Sequence, residues 1–190
     1  MAMTITKQDF LNDLRARNDK TRQLVQTDFM PLSQAARSSQ PEPNEWCVDQ
    51  CFQHLALAFE MFLPEAIKTL KKAKGVESDG VFKPSWLARR NFYRQLYSPS
   101  MKVKTRPAVT PSEYYYPDVF DQFLAQKEQL SVLLDDAVNT DLQARCWFYN
   151  VIPVNLGDYL EQFVMHDELH IDQAQRALAA YRQSANGIGV

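Results

Sequence analysis

The stretch from Trp46 to Lys72 is apolar on too many sides to lie flat on a protein surface. Phe52, Leu55, Leu57, Phe59, Met61, Phe62, Leu63, Ile67 and Leu70 recur around most of a helical circumference, which is the pattern of a helix surrounded by other helices. Only a bundle offers such an element enough neighbours. Asn44 reads as its N-cap, with Trp46 in the first turn, and Lys71, Lys72, Lys74 and Gly75 as its C-terminal signal. Pro64 falls inside it and predicts a kink or a locally broken turn.

Three further segments carry helical spacing. From Thr4 to about Phe29, Phe10, Leu14, Leu24 and Val25 form an amphipathic pattern that Pro31 interrupts. After Pro117 come Val119, Phe120, Phe123, Leu124, Leu130, Leu133, Leu134 and Val138. After Asn155, read as an N-cap with Asp158 at the capping-box position, the periodicity is clearest: Leu156, Tyr159, Leu160, Phe163, Ile171, Ala174, Ala177, Leu178 and Tyr181 define one stripe. The segment between, Asn139 to Pro153, holds Cys146, Trp147, Phe148 and Tyr149 and is too apolar to float, so it is expected to pack back on the bundle. With only 5 glycines among 190 residues, a turn-rich β fold is disfavoured. These features predict a single all-α domain over residues 1–190.

Residues 75–112 form a basic, proline-containing connection between the second and third long helices. Lys83, Arg89, Arg90, Arg94, Lys102, Lys104 and Arg106 occur there, and no acidic residue stands between Gly80 and Ser112. The plain reading is a solvated connection. The sharper one is that Arg89, Arg90 and Arg94 form a positive rim for an anionic ligand. A formal net charge of −2 gives no global attraction to nucleic acid or an anionic membrane. The polar N-terminus, the lack of an apolar run of spanning length and an odd cysteine count of 3 point to a soluble, cytoplasmic protein with reduced thiols.

All 3 histidines stand where a bundle-type metal site would want them. His166 and His170 are four apart, so their imidazoles can reach one ion together. On a wheel of about 100° per residue His170 falls within the apolar stripe and His166 about 40° from it. His54 lies on the central helix. The segment HDELH is not a zincin motif, because Asp167 occupies the place of the general-base Glu. A carboxylate-bridged di-iron bundle would need a second copy of the Asp167-x-x-His170 arrangement near His54. Cys47 and Cys51 fall on about the same side as His54, so a mixed Cys/His site is an alternative; the plainer reading is two small buried thiols. Asp49, Glu161, Asp167 and Glu168 are candidates to orient the imidazoles.

Trp46 shortly before His54-Leu55, then a long interval, then His166-Asp-Glu-Leu-His170-Ile-Asp-Gln173, resembles the DinB/YfiT-like superfamily. That resemblance implies an up-down-down-up four-helix bundle holding a divalent metal, zinc, nickel or iron, on His54, His166 and His170. It also implies metal-assisted hydrolysis or transfer involving a low-molecular-weight thiol such as bacillithiol, mycothiol or glutathione. The expected partner is therefore a small-molecule substrate or thiol cofactor; exposed helix faces add the separate expectation of a homodimer. The rival expectation is a non-catalytic bundle with a structural metal, acting in dimerisation or stress response.

Overall fold

The computed structural model of the protein describes residues 5–75, 80–86, 88, 90, 105–112 and 116–187. Among these, the chain is mostly helical. The helices are α1 (Lys7–Leu24), the short α2 (Gln34–Ser38), α3 (Val48–Ala73), α4 (Val119–Asp136) and α5 (Leu156–Gly187). Two small antiparallel ribbons accompany them: β1 (Ile5–Thr6) with β2 (Val81–Phe82), and β3 (Arg145–Phe148) with β4 (Ile152–Asn155). None of the described helices is long and apolar enough to cross a membrane.

Local chemistry explains the helix boundaries, and in several places corrects the reading of the sequence. Thr6 caps α1 by accepting the Asp9 N–H at 3.0 Å, and the helix widens into a π-turn over Val25–Phe29 before Pro31. The central helix begins at Val48, not near Asn44. Asn44 takes a left-handed backbone with φ of 71°, and the Gln50 side chain reaches back to accept the Cys47 N–H at 3.1 Å. Trp46 therefore lies in an extended lead-in rather than in the first turn. The helix runs unbroken through Pro64, held on both sides by the buried Phe59, Ala66 and Leu70. Tertiary packing offsets the one backbone bond that proline removes.

Asn155 and Asp158 stand at the start of α5 and reach outward from it. The first free N–H groups of that helix are satisfied by main-chain carbonyls, Leu156 bonding Ala144 and Gly157 bonding Leu142. This frees the two side chains to tie down the connection after α3. Asn155 donates to the Lys83 carbonyl, and Asp158 accepts the Ser85 N–H at 2.9 Å. The Cys146–Tyr149 segment does pack back, but as a β-hairpin. Tyr149 and Asn150 take left-handed backbones at its turn, closed by the Val151 N–H on the Phe148 carbonyl.

The four long helices enclose two apolar clusters. One gathers Phe10, Leu14, Phe59, Leu70, Leu130 and Phe163; the other gathers Val25, Phe29, Phe52, Phe123, Ile171 and Leu178. Each long helix contributes a buried polar residue at the level between them: Asn18 on α1, His54 on α3, Lys127 on α4 and Asp167 on α5. Cross-helix pairs fix the neighbours. Arg15 meets Asp135 and Arg22 meets Glu128; Phe52 packs on Phe120 and Phe123, while Gln126 donates to the Ala56 carbonyl; Phe59 packs on Phe163.

Phe82, fully buried against Phe10 at 4.4 Å between ring centroids, lies directly over Gly157. A Cβ at that position would overlap the ring. Gly157→Ala should therefore cost about 1–3 kcal/mol, lowering the melting temperature by about 2–4 °C per kcal/mol. An unchanged melting curve would contradict this packing.

Candidate metal centre

The structure brings His54, His166 and His170 together. One ring nitrogen from each lies within 4.8 Å of the others. Their ring centroids are 4.5–5.0 Å apart, and the Trp46 ring lies against His54 at 4.8 Å and His170 at 5.7 Å. The extended lead-in before α3 is what allows Trp46 to cover both imidazoles.

Hydrogen bonds set which nitrogen points inward. A carbonyl only accepts, so His54 Nδ1 carries the proton that it donates to Val109 O at 2.7 Å, leaving a lone pair on Nε2. His170 Nδ1 pairs in the same way with Gln173 Oε1 at 2.9 Å. His54 Nε2 and His166 Nε2 are 3.2 Å apart. An ion holding nitrogen ligands tetrahedrally at about 2.0–2.1 Å spaces neighbouring nitrogens by roughly 3.3 Å, so this pair already has a chelating separation.

Electrostatics keep the rings neutral. Burial lowers the pKa of His54, and lowers that of His166 strongly, with His170 and His54 adding repulsion in the second case. Burial, reinforced by His54, pushes His170 down to about 3. Neutral imidazoles with exposed lone pairs are what a divalent ion binds. The donor set therefore fits a metal.

The acidic side chains proposed as imidazole partners are engaged elsewhere. Asp49 pairs with Arg37 at 2.7 Å, Glu168 with Arg17 at 2.6 Å, and Glu161 lies 3.8 Å from Arg17. Asp167 pairs with Lys127, whose side chain is only 1% exposed and whose ammonium sits 4.8 Å from the Phe123 ring centre. Burial raises the Asp167 carboxyl against that pairing. The Asn18 amide donates to the Lys127 carbonyl and to Ser131, closing the polar layer on the α1 side. Sequence reasoning missed Asn18, Lys127 and Val109; Gln173 it had as part of the C-terminal motif.

Cys47 and Cys51 stay outside the cluster as free buried thiols, and burial raises the pKa of both. Arg89 and Arg94 lie outside the described residues. Arg90 sits over the exposed Trp86 ring at 5.2 Å. Among the described residues, the return leg of the connection reaches the site by the Val109 carbonyl and by Ser112, whose N–H bonds Gln53 beside His54.

A mostly helical chain with three histidines converging between its helices defines a class of bundle protein with a candidate metal centre. The DinB superfamily profile matches residues 17–174, and the chain belongs to that superfamily. The match includes all three histidines. No curated protein matches the sequence.

The depressed histidines set a pH dependence. Below the ordinary imidazole range near pH 6.5, the unfolded chain takes up protons that the folded site refuses, so the metal-free protein should lose stability as pH falls. The slope reaches about 1.4 kcal/mol per pH unit for each such histidine. The raised carboxyls of Asp49 and Asp167 act in the opposite direction. Urea denaturation between pH 7 and 5 should therefore show a shallower loss for His166→Gln than for wild type; equal slopes would contradict the assignment.

Proposed function

We propose that this chain is a divalent-metal enzyme, a hydrolase or low-molecular-weight-thiol transferase, whose ion is held by His54, His166 and His170 with a coordination position left open. The observation that carries the reading is the convergence of three neutral imidazoles, two with the outward nitrogen already anchored. Zinc, nickel and iron all suit such a donor set. When bound, the ion would lower the pKa of a water or thiol and supply a nucleophile near neutral pH.

The chain's own residues hold that arrangement. Val109 and Gln173 fix the tautomers of His54 and His170, and Trp46 shields both rings from bulk water. Asp167, between the two C-terminal ligands, is neutralised by Lys127. The cysteines lie outside the cluster and the nearby carboxylates are paired with cations. This favours an open site over a closed structural one, since structural zinc sites generally use four protein ligands.

The cross-helix pairs support an up-down-down-up bundle. Arg15 with Asp135 and Arg22 with Glu128 run α1 against α4, and Phe59 with Phe163 and His54 with His166 run α3 against α5. Phe52 with Phe120, and Ala56 with Gln126, run α3 along α4. That order places the ligands of α3 and α5 on facing helices. The reading extends to a small-molecule substrate or thiol cofactor, a homodimer and a cytoplasmic setting, without nucleic acid or membrane as partner. The Arg89, Arg90 and Arg94 rim remains part of it as a binding surface for carboxylates of the thiol.

Metal analysis of protein purified without a nickel column tests the reading, on wild type and His166→Ala after reconstitution with zinc, nickel, iron and manganese. Wild type should retain a stoichiometric ion through desalting, and His166→Ala should lose it. Wild type without stoichiometric metal under every condition overturns the proposal. Thiol-conjugation and hydrolase screens on the loaded protein then separate the two reactions.

A further inference from the structure

The three imidazoles are not equally supported. His54 and His170 each have the nitrogen facing away from the cluster held by an acceptor, Val109 O and Gln173 Oε1. His166 turns Nε2 toward His54, and among the described residues no hydrogen bond holds its Nδ1. A ligating imidazole that donates Nε2 electrons to an ion carries its proton on Nδ1, and that N–H needs an acceptor.

One helical turn before His166, on the same face of α5, stands an acceptor without a donor. Gln162 Oε1 is buried and makes no hydrogen bond. Leaving such an oxygen unpaired and out of water is unfavourable, so its presence calls for a partner. Gln162 and His166 both line one narrow cavity, walled by Leu55, Phe59, Phe148 and Phe163. Its volume is ≈ 10 Å³ as the space open to the centre of a water-sized sphere, room for about one water molecule. The other polar groups of the lining are committed: the Tyr159 hydroxyl donates to the Phe62 carbonyl at 3.1 Å, and Asp167 pairs with Lys127.

We propose that Gln162 is a positioning residue of the metal centre: its Oε1 accepts the Nδ1–H of His166 through a single water in this cavity. The inference rests on the three-histidine reading and completes it. Each ligand then has one outward acceptor, a main-chain carbonyl for His54, Gln173 for His170 and Gln162 through water for His166. Without the ion, His166 has a second option. It can hold its proton on Nε2 and donate to the His54 Nε2 lone pair, so loading the site moves the His166 proton from Nε2 to Nδ1.

Zinc affinity by chelator competition, melting of the metal-free protein and nitrogen-15 imidazole spectra test this on wild type, Gln162→Leu and Gln162→Glu. Gln162→Leu removes the acceptor at similar volume and should weaken zinc binding 10- to 100-fold, the usual range for losing such a partner. Its metal-free melting temperature should stay close to that of wild type, because the His166 Nδ1 proton that the bridge holds is needed only when the ion is bound. Gln162→Glu should keep wild-type affinity or better, and zinc-loaded wild type should show the His166 proton on Nδ1. The inference is overturned if Gln162→Leu binds zinc as tightly as wild type, if it loses affinity only in step with metal-free stability, or if the proton stays on Nε2. Wild type that binds no zinc overturns it together with the three-histidine reading; wild type that binds while Gln162→Leu binds equally well overturns it alone.

Discussion

A layer of polar side chains crosses the middle of this bundle, and the four long helices meet through the partners its members find. Asn18, His54, Lys127 and Asp167 are buried between two apolar clusters. Removing such groups from water is costly unless each finds a partner, and breaking a buried pair by deleting one member typically costs about 3–5 kcal/mol. Lys127 is held by Asp167 and backed by the rings of Phe59 and Phe123, and Asn18 closes the layer from α1. The histidines are its last members. Burial keeps them neutral, and their inward lone pairs are the part of the layer suited to a cation.

The layer also explains why the connection after α3 belongs to the site. Its return leg brings the Val109 carbonyl to His54 and the Ser112 N–H to Gln53, and its first leg is bound by Asn155 and Asp158 at the start of α5. Arg106, on the same return leg, lies 3.6 Å over Tyr149 at the hairpin turn. A segment that reads as a solvated basic link thus fixes the tautomer of a candidate ligand. Changes in its length or register would be felt at the imidazoles.

Much of this was legible in the sequence. Three histidines on two strongly patterned helices could be brought together because helical periodicity states which way each side chain points. The buried stripe of α5 follows that periodicity from Leu156 to Leu178. Features that depend on contacts distant in the chain were not legible. Val109 acts through its main-chain carbonyl, which leaves no side-chain signal, and a lysine is so seldom buried that Lys127 reads as surface. The β-hairpin was hidden because the apolar run Cys146–Tyr149 is too short for its period to separate strand from helix. The helix start moved from Asn44 to Val48 because Gln50, three residues past Cys47, supplies the cap, and that shift is what sets Trp46 over the imidazoles.

The central claim is that His54, His166 and His170 together ligate one divalent ion and leave it an open position. X-ray absorption spectroscopy at the metal edge of the reconstituted protein reads the ligand shell directly. The account predicts imidazole scattering from three nitrogen ligands at about 2.0–2.1 Å for zinc, with an exchangeable oxygen filling the remaining position. A sulfur shell at about 2.3 Å, or a spectrum with no histidine contribution, would contradict it.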